Sequence, residues 1–391
     1  MSSKFRCLRT ARLAARHPCR RSFASAASNR SAADYVRIVE VGPRDGLQNE
    51  KRSIPVATKI ELIERLARTG LRTIEAGSFV SPKWTPQMAN SSEILEHILR
   101  HPPISPHPIS YQWLLPNVKG LDNFLNIWQA HVSSKQDQQD AYPTPPPSPG
   151  TEEGSTLDTS SQNPNAMPST PPPSPSPFPP KTELSIFTAA TETFTQKNTN
   201  CSIAESLARF EPIMSRAKEL SLPVRAYISV ALGCPYEGPD VDPHKVAELA
   251  VNLLEMGADE ISVADTTGMG TALKTADLLK TLAAAGVEKS DLALHFHDTY
   301  GQALVNSVVA LEFGIRTFDA AVGGLGGCPY SPGATGNVAT EDLVHCFHSL
   351  GAKTGVDMEM LAGIGEWISG ELGRANESRA GKATLARARM G

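Results

Sequence analysis

The strongest constraint on the fold of this chain is a repeated alternation of short apolar segments with longer helical segments. Eight segments have the length and the β-branched content of strands, and helical patterns separate them. The predicted strands cover residues 36–42, 73–79, 111–116, 183–190, 224–231, 260–266, 292–298 and 318–324. Several are apolar along almost their whole length, as expected for parallel strands that are covered on both faces. Eight β-α units predict an α/β protein built on a closed (β/α)8 TIM barrel.

An open, doubly wound sheet is the alternative to the barrel. Such a sheet usually carries a GxGxxG fingerprint where its first strand leads into a helix, and this chain has none there. The segment MEMLAGIGEWISGELG (358–373) has a helical pattern, so extra C-terminal helices are expected outside the barrel or across one end. In a barrel of this kind, chemistry takes place where the strands end and the βα loops begin.

The first thirty residues differ in composition from the rest of the chain. Residues 1–30 contain eight Lys/Arg, several Ser and Ala, and no acidic residue. This composition is typical of a mitochondrial transit peptide, and RSFAS (21–25) resembles a processing site. A basic tail that binds acidic surfaces is the alternative. We therefore expect the protein in the mitochondrial matrix, where removal of this peptide changes its formal net charge from −4 to −12.

Residues 134–180 interrupt the alternation with a segment rich in Pro and Ser. It contains fourteen prolines and two aromatic residues, which is too little apolar surface to offset the entropy lost on ordering. The PPPSP repeats favour extended polyproline II conformation. We predict a disordered insertion between the third helix and the fourth strand, with the barrel domain formed by residues 35–133 and 181–391. Docking to an SH3-like or WW-like partner is the alternative to a tolerated loop insertion.

Charge, hydropathy and cysteine spacing argue against several classes of function. An acidic mature chain lacks the electrostatic basis of nucleic-acid binding, and no run of eighteen apolar residues predicts a membrane span. The four cysteines beyond residue 30 are widely spaced, which is typical of free thiols, and no CxxC pair suggests zinc. We therefore expect a small-molecule substrate and neither a nucleic-acid nor a membrane partner.

Polar side chains occur at the ends of four predicted strands, where a barrel core would not otherwise favour them. They are Arg44 and Asp45 after strand one, Glu75 in strand two, His295 and His297 in strand seven, and Cys328 and Asn337 after strand eight. The two histidines lie two residues apart and project from the same face of their strand. Two imidazoles, a carboxylate and a carboxamide form a mixed nitrogen and oxygen site that suits Mg²⁺, Mn²⁺ or another octahedral divalent cation.

Two further acids lie near strand ends. Asp265, in VADTTGMG, is expected to contact the substrate or a ligand histidine. Asp298 continues the HFHD run on the opposite face from His297, so it is expected to orient a helix start or a histidine tautomer.

Six segments of the sequence are similar to those of the 3-hydroxy-3-methylglutaryl-CoA lyase family. They are VGPRDGLQNE (41–50), SFVSPKWTPQMAN (78–90), NCSIAES (200–206), ALGCPYEG (231–238), HFHDTYGQAL (295–304) and GGLGGCPYSPGATGNVATEDLV (323–344). The resemblance runs from about Val36 to the end of the chain and is interrupted by the Pro-rich insertion. A broader group of barrel enzymes shares the RDG and HxHD elements, whereas the glycine-flanked GGCPY loop favours the lyases.

The resemblance implies that a divalent cation assists cleavage of 3-hydroxy-3-methylglutaryl-CoA to acetyl-CoA and acetoacetate, as in leucine catabolism, and that the protein is a homodimer. By motif, the implied metal ligands are Asp45, His295, His297 and Asn337, and the implied catalytic residues are Arg44, Glu75 and Cys328. We also assign Gln48 to the substrate site, beside Arg44.

This reaction explains why such residue types are needed. The C3 hydroxyl must lose a proton, the C2–C3 bond breaks, and negative charge develops on the thioester carbonyl. Arg44 suits the enolate oxygen because its guanidinium is permanently charged and fork-shaped. The base is Asp45, Glu75 or a metal-bound water. Cys328 is either the acid that protonates the acetyl-CoA enolate or a residue coupled to closure of its glycine-rich loop.

Two other functions compete with the lyase. A Claisen-type synthase that condenses acetyl-CoA with a 2-oxo acid would share the barrel, the metal and the arginine, although such synthases usually carry a further C-terminal domain. A noncatalytic scaffold that displays the Pro-rich insertion would require the metal constellation to be inert.

Overall fold

The computed structural model describes residues 35–140, 178–327 and 336–390. One compact unit runs from Val36 onward. The predicted transit peptide and most of the predicted insertion lie outside the described residues, and so does Cys328.

Eight parallel strands close into a barrel, in which each strand pairs with the next and the eighth pairs with the first. The strands are β1 (Arg37–Glu40), β2 (Thr73–Ser78), β3 (Ser110–Leu114), β4 (Lys181–Ala189), β5 (Val224–Ser229), β6 (Glu260–Asp265), β7 (Leu292–Phe296) and β8 (Thr317–Ala320). All eight predicted strands are confirmed, and most end earlier than expected because their last residues leave the sheet to begin the βα loops.

Helices surround the barrel. They are α1 (Val56–Ala67), α2 (Ser91–Arg100), α3 (Val118–Asp140), α4 (Glu192–Thr199), α5 (Ile203–Glu219), α6 (Pro243–Met256), α7 (Ala272–Ala284), α8 (Ala303–Phe313), α9 (Thr340–Ser349), α10 (Met358–Leu372) and α11 (Arg379–Ala388). Their apolar faces and the outer faces of the strands form one buried core. In the described parts of the chain, no helix combines the length and the apolar character that a membrane span requires.

Helix α3 is longer than the sequence suggested. It ends at Asp140, whereas the insertion was expected to begin at residue 134. The sequence SSKQDQQD lacks apolar residues, but Lys and Gln are good helix formers and no Gly or Pro interrupts it. Residues 141–177, which lie outside the described residues, fall between α3 and β4, and the disordered insertion stays a prediction.

The expected C-terminal helices are present, and the first turn of α9 connects them to the barrel. Thr340 donates a hydrogen bond to the carboxylate of Glu40 at the end of β1 (2.6 Å). Both carboxylate oxygens of Glu341 accept from the backbone N–H of Gly323 (3.0 and 2.9 Å). Asp342 accepts from a backbone N–H in the first turn of α11 (2.7 Å). Three consecutive side chains therefore hold the end of β1, the loop after β8 and the C-terminal helices together.

Polar side chains fill much of the barrel interior. Arg225 on β5 reaches Asp319 on β8 (2.5 Å), and Glu75 on β2 accepts from Ser185 on β4 (3.0 Å) and Tyr227 on β5 (3.2 Å). Since these pairs join strands that are not neighbours, the bonds cross the barrel interior. Bulky aliphatic side chains usually fill this space in barrels of this class, so the polar filling indicates a functional role.

Candidate active site

A tight turn after β1 presents Arg44 and Asp45 to the mouth of the barrel. Residues Gly42–Gly46 form one π-helical turn in which the backbone N–H groups of residues 44, 45 and 46 all point to the carbonyl oxygen of Val41 (3.2, 2.8 and 3.1 Å). A Cβ atom on Gly46 would lie 2.7 Å from the Cβ of Leu325. The turn thus packs directly against the loop after β8, which requires glycine at this position.

The guanidinium of Arg44 is fixed by two carboxylates. Its Nε and Nη2 lie 2.7 and 2.6 Å from Oε2 of Glu75, and its Nη1 lies 2.7 Å from Oδ1 of Asp45. Burial acts to lower the pKa of Arg44, but the charges of Glu75 and Asp45 outweigh it and raise that pKa. Arg44 is therefore a rigid cation with three of its N–H groups already engaged.

Asp45, His295 and His297 meet in one cluster, where one potential ligand atom from each lies within 4.8 Å of the others. Asn337 lies beside them, because its Nδ2 donates to Oδ2 of Asp45 (2.8 Å) and its backbone bridges to His297. Among the residues that the structure describes, the buried Oδ1 of Asn337 and Nδ1 of His297 have no hydrogen-bond partner. Free acceptor atoms around a buried carboxylate and two imidazoles fit a divalent cation.

Protonation at this cluster follows from its charges. Burial acts to raise the pKa of Asp45, but Arg44, His295 and His297 together lower it to about 2. Burial, with a contribution from His295, lowers the pKa of His297 to about 4. Burial also acts to lower the pKa of His295, but its hydrogen bond with Asp319 and the charge of Asp45 outweigh it and raise the pKa. Asp45 is thus ionised and His297 neutral at physiological pH, as ligation requires.

Gln48 joins the site as expected. Its Nε2 donates to Oδ1 of Asp45 (2.6 Å), the oxygen that also contacts Arg44. Asp45 is therefore held on both oxygens, by Arg44 and Gln48 on one and by Asn337 on the other.

Two further acids from the sequence interpretation adjoin the cluster: the carbonyl oxygen of Asp265 accepts from the backbone N–H of His297 (3.3 Å), and Asp298 follows His297 in the chain. Oδ2 of the fully buried Asp265 accepts from the backbone N–H of Gly270 (2.9 Å), and burial raises the pKa of Asp265 to about 6. This oxygen holds the loop after β6, whereas the buried Oδ1 has no hydrogen-bond partner among the described residues, and contact of Asp265 with the substrate or a ligand histidine stays a prediction. Asp298 accepts from the backbone N–H of Ala303 (3.0 Å) at the start of α8, the helix-orienting role expected for it.

A cavity of about 630 Å³ opens above the cluster at the carboxyl ends of the strands. Its floor includes Arg44, Asp45, Gln48, His295 and His297, and its walls include aromatic, polar and basic side chains. The volume is in the range of small-molecule and cofactor sites.

Four polar residues of this region were missed in the sequence. They are Ser185, Arg225, Tyr227 and Asp319. Ser185 and Tyr227 enclose Glu75, and Arg225 and Asp319 form a buried pair beneath His295. The sequence signal that could have found two of them is the alternation of side chains along a strand. Arg225 and Tyr227 lie two residues apart in VRAYIS and so point to the same face of a strand.

Comparison with known proteins gives consistent results. The family model described as HMGL-like matches residues 35–130 and 180–368. The 3-hydroxy-3-isohexenylglutaryl-CoA/hydroxy-methylglutaryl-CoA lyase of Pseudomonas aeruginosa is 44% identical over 353 residues, covering 90% of this chain and 98% of that protein. The mitochondrial hydroxymethylglutaryl-CoA lyase of Rattus norvegicus is 43% identical, covering 92% and 93% respectively. A cytoplasmic 3-hydroxy-3-methylglutaryl-CoA lyase of Danio rerio is 42% identical, covering 90% and 87%.

Solved structures agree with the sequence comparison. The crystal structure of hydroxymethylglutaryl-CoA lyase from Pseudomonas aeruginosa has a TM-score of 0.72 at 44% identity and covers 90% of this chain and 98% of its own. An HMG-CoA lyase from Acenitobacter baumannii, in complex with coenzyme A and 3-methylmalate, has a TM-score of 0.71 at 30% identity and covers 90% and 96%.

Proposed function

This chain belongs to the HMGL-like family, and from that premise we propose that it is a carbon–carbon lyase that cleaves 3-hydroxy-3-methylglutaryl-CoA to acetyl-CoA and acetoacetate with a bound divalent cation. The observation that carries the proposal is the cluster of Asp45, His295 and His297 beside a fixed arginine at the floor of a cavity. Relatives at 42–44% identity are named as lyases of this substrate.

We assign the cation, Mg²⁺ or Mn²⁺, to Asp45, His295, His297 and Asn337. The Oδ1 of Asn337, which has no hydrogen-bond partner in the described parts of the chain, and the ionised carboxylate of Asp45 supply the oxygen ligands such ions prefer. A divalent cation in this position would act as a Lewis acid that lowers the pKa of the C3 hydroxyl.

Arg44 is assigned to the charge that develops on the thioester carbonyl. Its guanidinium lines the cavity and is held by Glu75 and Asp45, so it needs no reorganisation when the substrate binds. With three of its five N–H groups engaged, two are left to donate to the enolate oxygen.

The arrangement narrows the alternatives for the base. Glu75 is fully buried and accepts from Ser185, Tyr227 and Arg44, so we assign it to holding the arginine. Asp45 lines the cavity but is weakly basic, with a pKa of about 2. Because Glu75 is enclosed whereas Asp45 reaches the cavity, we propose that the proton of the C3 hydroxyl passes to Asp45 or to a water molecule that Asp45 orients. Gln48 keeps Asp45 in place and lines the same cavity, which supports its assignment to the substrate site.

The acid that delivers a proton to C2 of the departing acetyl-CoA enolate is proposed to be Cys328. It lies outside the described residues, so this assignment rests on the GGLGGCPY sequence and the family resemblance. Two described residues near it in the sequence contact the site: Leu325 packs on the turn that bears Arg44, and Asn337 contacts Asp45.

We further propose that the enzyme is a homodimer of the mitochondrial matrix that acts in leucine breakdown. The support for the compartment is the composition of residues 1–30; named relatives include both mitochondrial and cytoplasmic lyases. Fusing residues 1–30 to a fluorescent protein tests the compartment, and a diffuse cytosolic signal would contradict it. Analytical ultracentrifugation tests the assembly.

The activity is tested with metal-free protein. The purified enzyme is treated with a chelator, dialysed and mixed with 3-hydroxy-3-methylglutaryl-CoA, and acetoacetate is measured before and after addition of Mg²⁺ or Mn²⁺. We expect acetoacetate only with added cation, and its loss in His295→Gln. Asp298→Asn is a matched control, because this residue adjoins the cluster in sequence but caps α8. Condensation of acetyl-CoA with a 2-oxo acid, without cleavage, would instead identify a Claisen-type synthase.

A further inference from the structure

The carboxylate of Asp319 on β8 is fully buried and contacts side chains from three other strands. Its Oδ1 accepts from Nη2 of Arg225 on β5 (2.5 Å). Its Oδ2 accepts from Oγ of Ser262 on β6 (2.9 Å) and lies 3.2 Å from Nδ1 of His295 on β7. His295 and Asp319 are direct partners in the β7–β8 ladder, so the sheet register itself sets this contact.

The contact fixes which nitrogen of His295 carries hydrogen. An ionised carboxylate can only accept, so a hydrogen bond to Oδ2 of Asp319 places the hydrogen of a neutral His295 on Nδ1. The lone pair of Nε2 is then free on the opposite side of the ring, where Nε2 lies 3.9 Å from Oδ2 of Asp45. That side faces the cluster of Asp45, His295 and His297.

We propose that Asp319 is a positioning residue for the metal centre. It holds His295 in the Nδ1–H tautomer with Nε2 directed at the cation, and Arg225 and Ser262 hold Asp319 in place. The inference rests on the proposed function in that a divalent cation binds at His295. Carboxylates that orient ligand histidines in this way typically change metal affinity 10–100-fold when they are lost.

The same structure indicates that the two histidines depend on Asp319 differently. Among the described residues, the buried Nδ1 of His297 has no hydrogen-bond partner, and its position is set by the backbone bridge to Asn337. Loss of Asp319 should therefore disturb one ligand of the set and weaken cation binding without abolishing it.

A purely structural role is the competing explanation, because Arg225 is also fully buried and needs a counter-charge. Asp319→Asn alone would leave the charge of Arg225 only partly compensated, by Glu260, whose Oε2 lies 3.4 Å from Nε of Arg225. A protein with such a buried charge can fail to fold. The informative variant is the double substitution Arg225→Met with Asp319→Leu, since replacing a buried ion pair by apolar residues of similar size is often tolerated.

The first experiment measures Mn²⁺ binding to the full chain, without substrate, from the electron paramagnetic resonance signal of free Mn²⁺. We expect the Kd to rise about 10–100-fold in the double variant. In Arg225→Met alone it should stay within about threefold of wild type, because the Asp319–His295 bond remains. Asp298→Asn, the same loss of a carboxylate one residue from His297, is the control and should also leave the Kd within about threefold. Thermal unfolding of each variant separates loss of fold from loss of affinity.

The second experiment reads the tautomer directly in the metal-free protein. The spectra are recorded at a pH high enough for His295, whose pKa is raised, to be neutral. In ¹⁵N-histidine spectra, with the signals of His295 assigned by their loss in His295→Gln, we expect the hydrogen on Nδ1 in wild type and a mixture of tautomers in the double variant. The proposal is overturned if wild-type His295 carries its hydrogen on Nε2, if the folded double variant binds Mn²⁺ within threefold of wild type, or if Arg225→Met loses as much affinity. If the double variant does not fold, the wild-type tautomer and the Arg225→Met affinity decide. Wild-type protein that binds no Mn²⁺ would contradict the metal dependence of the proposed function, while the tautomer still tests Asp319.

Discussion

Replacing Arg44 by Met tests the central assignment of the active site. The substitution removes two N–H groups that we assign to the enolate oxygen, each worth about 1.5–3 kcal/mol as a hydrogen bond to a charged group. A loss of about 3–6 kcal/mol of transition-state stabilisation corresponds to a kcat about 10²–10⁴-fold lower. Since Arg44 contacts Asp45 at one oxygen only, Mn²⁺ affinity should change much less than kcat.

The same substitution has a structural effect that must be separated from the catalytic one. Glu75 is fully buried, and Arg44 is the cation within ion-pair distance of it; removal of one partner of a buried pair commonly costs about 3–5 kcal/mol of stability. Arg44→Met with Glu75→Gln removes the orphaned charge, while Ser185 and Tyr227 still contact the side chain at position 75. We expect this double variant to recover thermal stability but not turnover.

Steady-state kinetics and thermal unfolding of the three proteins give the decision. If Arg44→Met is folded and keeps kcat within about tenfold of wild type, the assignment of Arg44 to the developing charge is wrong. If the double variant regains kcat along with stability, Arg44 serves only to neutralise Glu75, and the enolate must be stabilised by another group.

Three further predictions address the rest of the molecule. Burial raises the pKa of Glu341 to about 8, so the folded state holds a proton that the unfolded state has released above about pH 4.5. The free energy of unfolding should therefore fall as pH rises from about 4.5 to 8, by up to about 1.4 kcal/mol per pH unit. In denaturant unfolding at a series of pH values, Glu341→Gln should show a shallower slope of this free energy against pH, and an unchanged slope would refute the assignment. Cys328→Ser should lower kcat about 10²-fold, whereas the buried Cys234, which contacts Thr191 at 3.3 Å, should tolerate Ser with turnover near wild type; the reverse order would refute the ranking. Mn²⁺ at a hundred times its Kd should raise the free energy of unfolding by about 2.7 kcal/mol, and His297→Ala should remove most of this stabilisation in calorimetry, or His297 is not a ligand.

The fold could be predicted from the sequence because parallel strands that are covered on both faces have a recognisable pattern of apolar residues. Several of the eight strands are short, nearly continuous apolar runs, and the helices between the strands set the topology. The end of α3 was misplaced because its last residues have helix propensity without an apolar face.

The candidate site could be predicted in part. His295 and His297 were identified by period-two spacing, and Arg44 and Asp45 by their position after a strand. Asp319 was missed because its role depends on which residue of β7 it faces, and sheet register is not visible in a single sequence. The alternation of side chains along β6 predicts the direction of Asp265: Ser262 points into the barrel, so a residue three positions later points to the opposite face, where Asp265 contacts the loop after β6.

Glu75 illustrates the limit of residue type as a guide to role. A carboxylate at a strand end is a reasonable base from sequence alone. In the structure it is enclosed by Arg44, Ser185 and Tyr227, and this enclosure is the reason for our proposal that it holds the arginine. Such assignments depend on contacts between residues more than a hundred positions apart in the chain.

The connection between α3 and β4 has a consequence for changes in chain length. In a parallel barrel the connection from a helix to the next strand lies at the amino ends of the strands, opposite the loops that carry Arg44 and Asn337. Sequence added there lengthens the chain without lengthening any segment that surrounds the substrate. The two ends of the barrel therefore differ in what an insertion does: at the carboxyl ends of the strands it alters the segments around the cavity, whereas at the opposite end the chain can lengthen while those segments keep their length.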